Sequence, residues 1–107
     1  MRGLGLARRG EKLSILCLGA HSDDIEIGAG GTILGLIASG VELDVDWCVL
    51  SAGGQRSAEA RASAEAFLQG SHSSTVHVAD FEDSYFPTHS RSIKQWLGDL
   101  RSWVHPD

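Results

Sequence analysis

The stretch LSILCLGA, Leu13 to Ala20, is apolar almost throughout and runs directly into HSDD, His21 to Asp24. It constrains the fold more than any other segment. It is far too short to span a membrane. Its lack of polar alternation is the pattern of a strand buried on both faces, as in a parallel sheet. Parallel strands need long crossovers, usually helical, and the rest of the chain supplies them. Ile33, Leu34, Ile37 and Ala38 recur at helical spacing between Gly31 and Gly40, and Gly40 is a helix stop. From Glu42 to Ala52, Leu43, Val45, Trp47 and Val49 alternate against Asp44, Asp46, Cys48 and Leu50, which predicts a second strand closed by Gly53-Gly54. Ser57 to Leu68 is rich in Ala, Glu and Arg and reads as a helix stopped by Gly70. Ser74 to Asp80 alternates again, and a loop punctuated by Pro87 follows. Ile93, Trp96, Leu97, Leu100 and Val104 then mark one helix face, with Pro106 as its stop. Strands alternating with helices predict right-handed crossovers and an α/β fold, Rossmann-like, in three αβα layers around a parallel sheet.

Composition narrows the function classes. A chain of 107 residues is one small domain at most. A net charge of −5 argues against a nucleic-acid module, which would show a clustered basic face. The basic residues Arg2, Arg8, Arg9 and Lys12 flank GLGLA, too short and too weakly apolar for a signal segment. Residues 1–12 therefore read as a ragged start, and 13–107 as the folded part. No apolar run reaches membrane-spanning length. Cys17 and Cys48 lie in apolar runs without disulfide or CxxC spacing, so free, buried thiols and a cytoplasmic location are expected.

Ligands of open α/β sheets bind outside the carboxyl ends of the strands. His21, Asp23 and Asp24 fall at that end of the first strand. Gly28, Gly30 and Gly31 would let backbone approach a ligand or turn tightly into the helix. A dinucleotide fingerprint fails, because Gly28-Ala29-Gly30 is followed by Ile33 where a third glycine belongs and the acids would repel a pyrophosphate. Imidazole with carboxylate suits a divalent metal such as zinc. Of two adjacent carboxylates, one can bind the metal and the other can take a proton from its water. Residue types alone leave a second reading equally open: an N-capping Asp pair beside a loop histidine.

The segment AHSDDIEIGAGGT resembles the A-H-P-D-D-E signature of the PIG-L / LmbE-like deacetylases. That resemblance implies a Rossmann-like fold and zinc-dependent removal of acetyl from N-acetylglucosamine-type conjugates. It implies His21 and Asp24 as metal ligands and Asp23 as the general base, with Zn2+ or another divalent ion as cofactor. VLSAGG, RSAEARASAEAFL and FEDSYFP are similar to the family's later segments, so the likeness runs from about Leu13 onward. Ser22 stands where the family has proline, which frees the backbone but removes no ligand. Glu26 is expected to be a structural acid. Arg56 and Arg61 compete for a substrate-contacting arginine, with Arg56 preferred because it sits nearer the strand end. Asp83 matches a loop acid near the site, against a turn-forming alternative.

The family's third ligand is a histidine of a later H-x-D-H motif, after a fourth strand, and the 107 residues contain no such motif. His105 is better read as complementing a helix dipole. The expectation is thus a domain truncated after three strands. It would hold two of three protein ligands and bind metal weakly, either as part of a deacetylase or as a non-catalytic metal-binding fragment. The missing strand would lie beside the first, which leaves an apolar edge open to self-association. Trp47, Trp96 and Trp103 follow core periodicity, and Thr32 is expected in a first helical turn.

Overall fold

The computed structural model describes residues 6–82 and 86–107. The elements alternate as expected: β1 (Lys12–His21), α1 (Asp24–Ala38), β2 (Glu42–Ser51), α2 (Gln55–Leu68), β3 (Ser73–Val78) and α3 (Ser90–Arg101). The strands form one parallel sheet in the order β1-β2-β3. Leu43, Val45, Trp47 and Val49 of β2 pack with Ile25 and Ile33 of α1 and with Ala60, Ala64 and Leu68 of α2. Cys48 packs with Leu100 and Val104 on the other face, under α3. The sheet therefore lies between α1 and α2 on one side and α3 on the other, giving the three-layer α/β architecture.

The alternation in β2 works on both faces. Its odd-numbered apolar side chains face α1 and α2. On the opposite face, Asp44 accepts a hydrogen bond from Ser73 Oγ at 2.7 Å, and Asp46 Oδ1 meets His77 Nε2 at 2.9 Å. Burial and the nearby charge of Asp46, followed by Cys17, push the Cys48 thiol up from 9.0 to about 12. The folded state thus resists forming this thiolate. Its contribution to stability is intact below the unfolded pKa of 9.0 and is lost as pH rises toward about 12. Urea unfolding followed across that window is expected to show a steeper loss of stability for the native chain than for Cys48→Ala.

Three expectations need correction. First, α1 begins at Asp24, not Gly31, so Gly28, Gly30 and Gly31 lie inside the helix and Thr32 falls well past its first turn. Each internal glycine costs roughly 1 kcal/mol of helix propensity relative to Ala. Packing overrides that preference: Ile25 is buried, and a Cβ on Gly30 would sit 2.7 Å from the Phe67 ring. Second, β1 is not buried on both faces. With a neighbour on one side only, its side chains are mostly half-buried, and Leu18 is 53% exposed. Third, the tryptophans diverge. Trp47 is fully buried and Trp96 packs partly buried against the α3 cluster, but Trp103 is 73% exposed, beyond the end of α3. Cys17 and Cys48 are both free thiols, Cys17 only partly buried. None of the described helices is long and apolar enough to cross a membrane.

Candidate metal centre

β1 ends at His21, and α1 starts three residues later at Asp24. This tight connection folds the two side chains together. The His21 backbone N–H donates to Asp24 Oδ2 at 2.9 Å, and His21 Nδ1 lies 3.4 Å from the same oxygen. The pair is well exposed, at 44% and 45% of the side-chain surface. A zinc ion takes imidazole nitrogen at about 2.0–2.1 Å and carboxylate oxygen at about 2.0–2.2 Å. A tetrahedral angle between them sets the donors roughly 3.3–3.5 Å apart. The His21–Asp24 separation of 3.4 Å equals the edge of such a tetrahedron and is also that of an ordinary imidazole–carboxylate contact.

Asp23 occupies the N-cap position of α1 with φ −110° and ψ 0°, and its side chain makes no capping hydrogen bond. Its backbone carbonyl accepts from the Ile27 N–H at 3.1 Å instead. Asp24 likewise bonds backward, to His21, rather than to a helix N–H. The capping interpretation of the acid pair therefore has no hydrogen bond behind it. Both carboxylates sit at the N-terminal end of α1.

The surroundings fix this turn. Ile25 is buried beneath it, and a Cβ on Gly19 would approach Ile25 Cγ1 to 2.9 Å and Asp24 Cβ to 3.3 Å. Gly19→Ala is expected to push the start of α1 away from β1, costing about 1–3 kcal/mol. Thermal unfolding and a zinc titration of that variant test this. Unchanged stability with unchanged metal affinity would contradict it.

Phe86 stacks on the His21 ring, with centroids 6.0 Å apart and planes 10° from parallel. Sequence reasoning missed this residue. Its only signal was its place in FEDSYFP beside Pro87. Arg56 stands exposed in the first turn of α2, just after the Gly53-Gly54 turn that ends β2. Gly54 adopts φ +61° there, a conformation that suits glycine. His21, Asp23, Asp24 and Arg56 are thus at the same, carboxyl end of the sheet. Arg61 is engaged elsewhere: its Nη1 donates to the Val76 carbonyl at 3.0 Å. Asp83 lies outside the described residues. Glu26 Oε2 accepts a hydrogen bond from Ser63 Oγ of α2 at 2.6 Å, in keeping with a structural acid. His89 is at the N-cap of α3, near Phe81, and His105 is exposed beyond the end of α3. Among the described residues, no three His, Cys, Asp or Glu side chains converge on one point. Two donors meet here, with Asp23 beside them.

A family model described as PIG-L, GlcNAc-PI de-N-acetylase, matches residues 16–107. The chain belongs to the PIG-L family. The match begins within β1 and covers the His21–Asp24 turn, all three helices and the α2 arginines. No curated protein and no solved structure matches this PIG-L chain. Family membership brings with it the class of a GlcNAc-type deacetylase. The geometry of the turn is the basis for a more specific reading.

Proposed function

We propose that this chain carries the metal-binding and proton-transfer part of a deacetylase acting on a small-molecule N-acetylglucosamine-type conjugate. The observation that supports it best is the His21–Asp24 donor pair at 3.4 Å with an uncapped Asp23 next to it. His21 and Asp24 would hold the ion, zinc or another divalent metal, with its other positions left for water, substrate or a further side chain. The ion supplies Lewis-acid polarisation of the acetyl carbonyl and a water of lowered pKa. Asp23 takes the proton from the attacking water as the new C–O bond forms at the carbonyl carbon. It then returns that proton to the amide nitrogen as the C–N bond breaks. Acetic acid and an amine result, and the acid's proton passes to the amine to give acetate and an ammonium group, so atoms and charge balance. Phe86 holds the imidazole plane, and Arg56 is placed to contact a hydroxyl or phosphate oxygen of the conjugate in a fixed geometry.

Calorimetric titration with zinc, followed by an assay for amine release from an N-acetylglucosamine conjugate, tests the proposal. Stoichiometric metal binding with amine release supports it. Metal binding without amine release favours the alternative of a non-catalytic metal-binding member, which the convergence of only two described donors suggests. No metal binding defeats both.

A further inference from the structure

The carboxyl end of the sheet carries a further acid that neither the donor pair nor the proton transfer uses. His21, the last residue of β1, pairs in register with Ser51, the last residue of β2. Ser51 in turn forms an isolated bridge with Asp80, just beyond β3. The Ala52 N–H donates to the Ala79 carbonyl and the Phe81 N–H to the Leu50 carbonyl, at 3.0 Å each. These bonds flank the bridge. Ser51 and Asp80 are therefore a non-hydrogen-bonded antiparallel pair, whose side chains stand close together on one side. Val49 packs toward α1 and α2, so Ser51, two residues on, faces that way too. By register His21 and Asp80 share that side. The three residues form one row across the strand ends, where α1 and α2 begin.

With adjacent strands about 4.5–4.9 Å apart, the row sets the Cα atoms of His21 and Asp80 roughly 9–10 Å from each other. The floor between them is low, because β2 leaves the sheet through Ser51, Ala52, Gly53 and Gly54, four small residues in succession. Gly53 lies against Asp80, and a Cβ there would come within 3.3 Å of the Asp80 Cβ. Asp80 is exposed, and its carboxylate has no hydrogen bond or ion pair among the described residues. The row thus has two metal-competent donors at one end and a carboxylate available to a ligand at the other.

We infer that Asp80 is a specificity-determining residue that holds the sugar ring of the conjugate by its hydroxyls. This rests on the deacetylase reading, which puts the acetamido group at His21 and Asp24. The ring then lies over Ser51, and the hydroxyls at C3 and C4 come to Asp80. A carboxylate only accepts, and its two oxygens take one O–H each. Such charge-assisted bonds are roughly twice as strong as neutral ones. A carboxylate also repels phosphate, so Asp80 reads the sugar and leaves any anionic part of the conjugate to Arg56. Hydroxyl contacts remote from the breaking bond are alike in the ground and transition states, so they set KM rather than kcat.

An NMR titration of the full chain, with zinc present, tests this with methyl N-acetylglucosaminide and its 4-deoxy analogue. The native chain should bind the parent sugar about tenfold more tightly than the analogue, the worth of one hydrogen bond to a charged group. Asp80→Ala should weaken the parent sugar by about 10–100-fold and bind the two sugars alike. Zinc affinity and the unfolding temperature should not change, since the side chain is exposed and bonds no described residue. In amine-release assays the variant should raise KM and keep kcat. No binding of the parent sugar by the native chain, or the same preference for it in native chain and variant, overturns the assignment. Sugar binding that depends on Asp80 without amine release leaves the assignment standing and defeats the deacetylase reading. Amine release with the same KM in both proteins does the reverse.

Discussion

Replacing Asp23 by Asn is expected to lower amine release by about 10²–10⁴-fold, the usual contribution of a positioned acid–base group, and to leave zinc binding intact. Asn keeps the size of the side chain and is as good an N-cap residue as Asp. The helix start should therefore be undisturbed and the unfolding temperature nearly unchanged. What is removed is the proton acceptor. Asp24→Ala should behave differently: it deletes one of the two converging donors and so should abolish metal binding and amine release together. It also removes the acceptor of the His21 backbone N–H. The contrast between the two variants is the diagnostic. Equal loss of metal by both would mean that Asp23 is a ligand, and full activity in Asp23→Asn would remove it from the chemistry.

The largest stability effect is expected at Trp47. It is fully buried at the middle of β2, tilted against Phe67 of α2 at a centroid distance of 6.1 Å. Trp47→Ala empties a site that packing from α1, α2 and the neighbouring strands cannot refill, and should cost about 3–5 kcal/mol. Against the roughly 5–15 kcal/mol that holds a typical domain together, such a loss leaves a substantial unfolded fraction. Trp47→Phe should cost much less. The indole Nε1–H is buried without a hydrogen-bond partner, so its removal also relieves an unsatisfied donor. Urea denaturation of the two variants measures the difference. Similar midpoints for both would show that ring volume is not what matters at this position.

Much of this was legible in the sequence because it rested on periodicity. The alternation of Leu43, Val45, Trp47 and Val49 and the helical spacing of Ile93, Trp96, Leu97 and Leu100 each reflect a single buried face. The order of elements and the placing of His21, Asp23 and Asp24 at a strand end followed from that. The start of α1 was not legible. Gly28, Gly30 and Gly31 argue locally against helix; the contact with Phe67, far away in sequence, explains Gly30, and nothing in the structure requires glycine at 28 or 31. The half-burial of β1 was hidden for a related reason: an apolar run does not say whether neighbours lie on one side or two. Trp103 follows the helix period yet stands beyond its last turn. Phe86 carried no pattern at all, since stacking on His21 is a property of the folded loop. Hydrogen-bond bookkeeping at Asp23 was likewise invisible, although it is what weakens the capping interpretation.

The contact between Glu26 and Ser63 has a mechanical consequence. Glu26 follows the donor Asp24 by two residues, and Ser63 lies two turns along the helix that carries Arg56 in its first turn. A short hydrogen bond to a carboxylate whose other oxygen is enclosed acts as a strut between the two helices. The His21–Asp24 turn at the end of β1 and the Arg56 cation after β2 are thereby tied together. The spacing between the His21–Asp24 turn and Arg56 is held by a joint two residues from the one and two helical turns from the other.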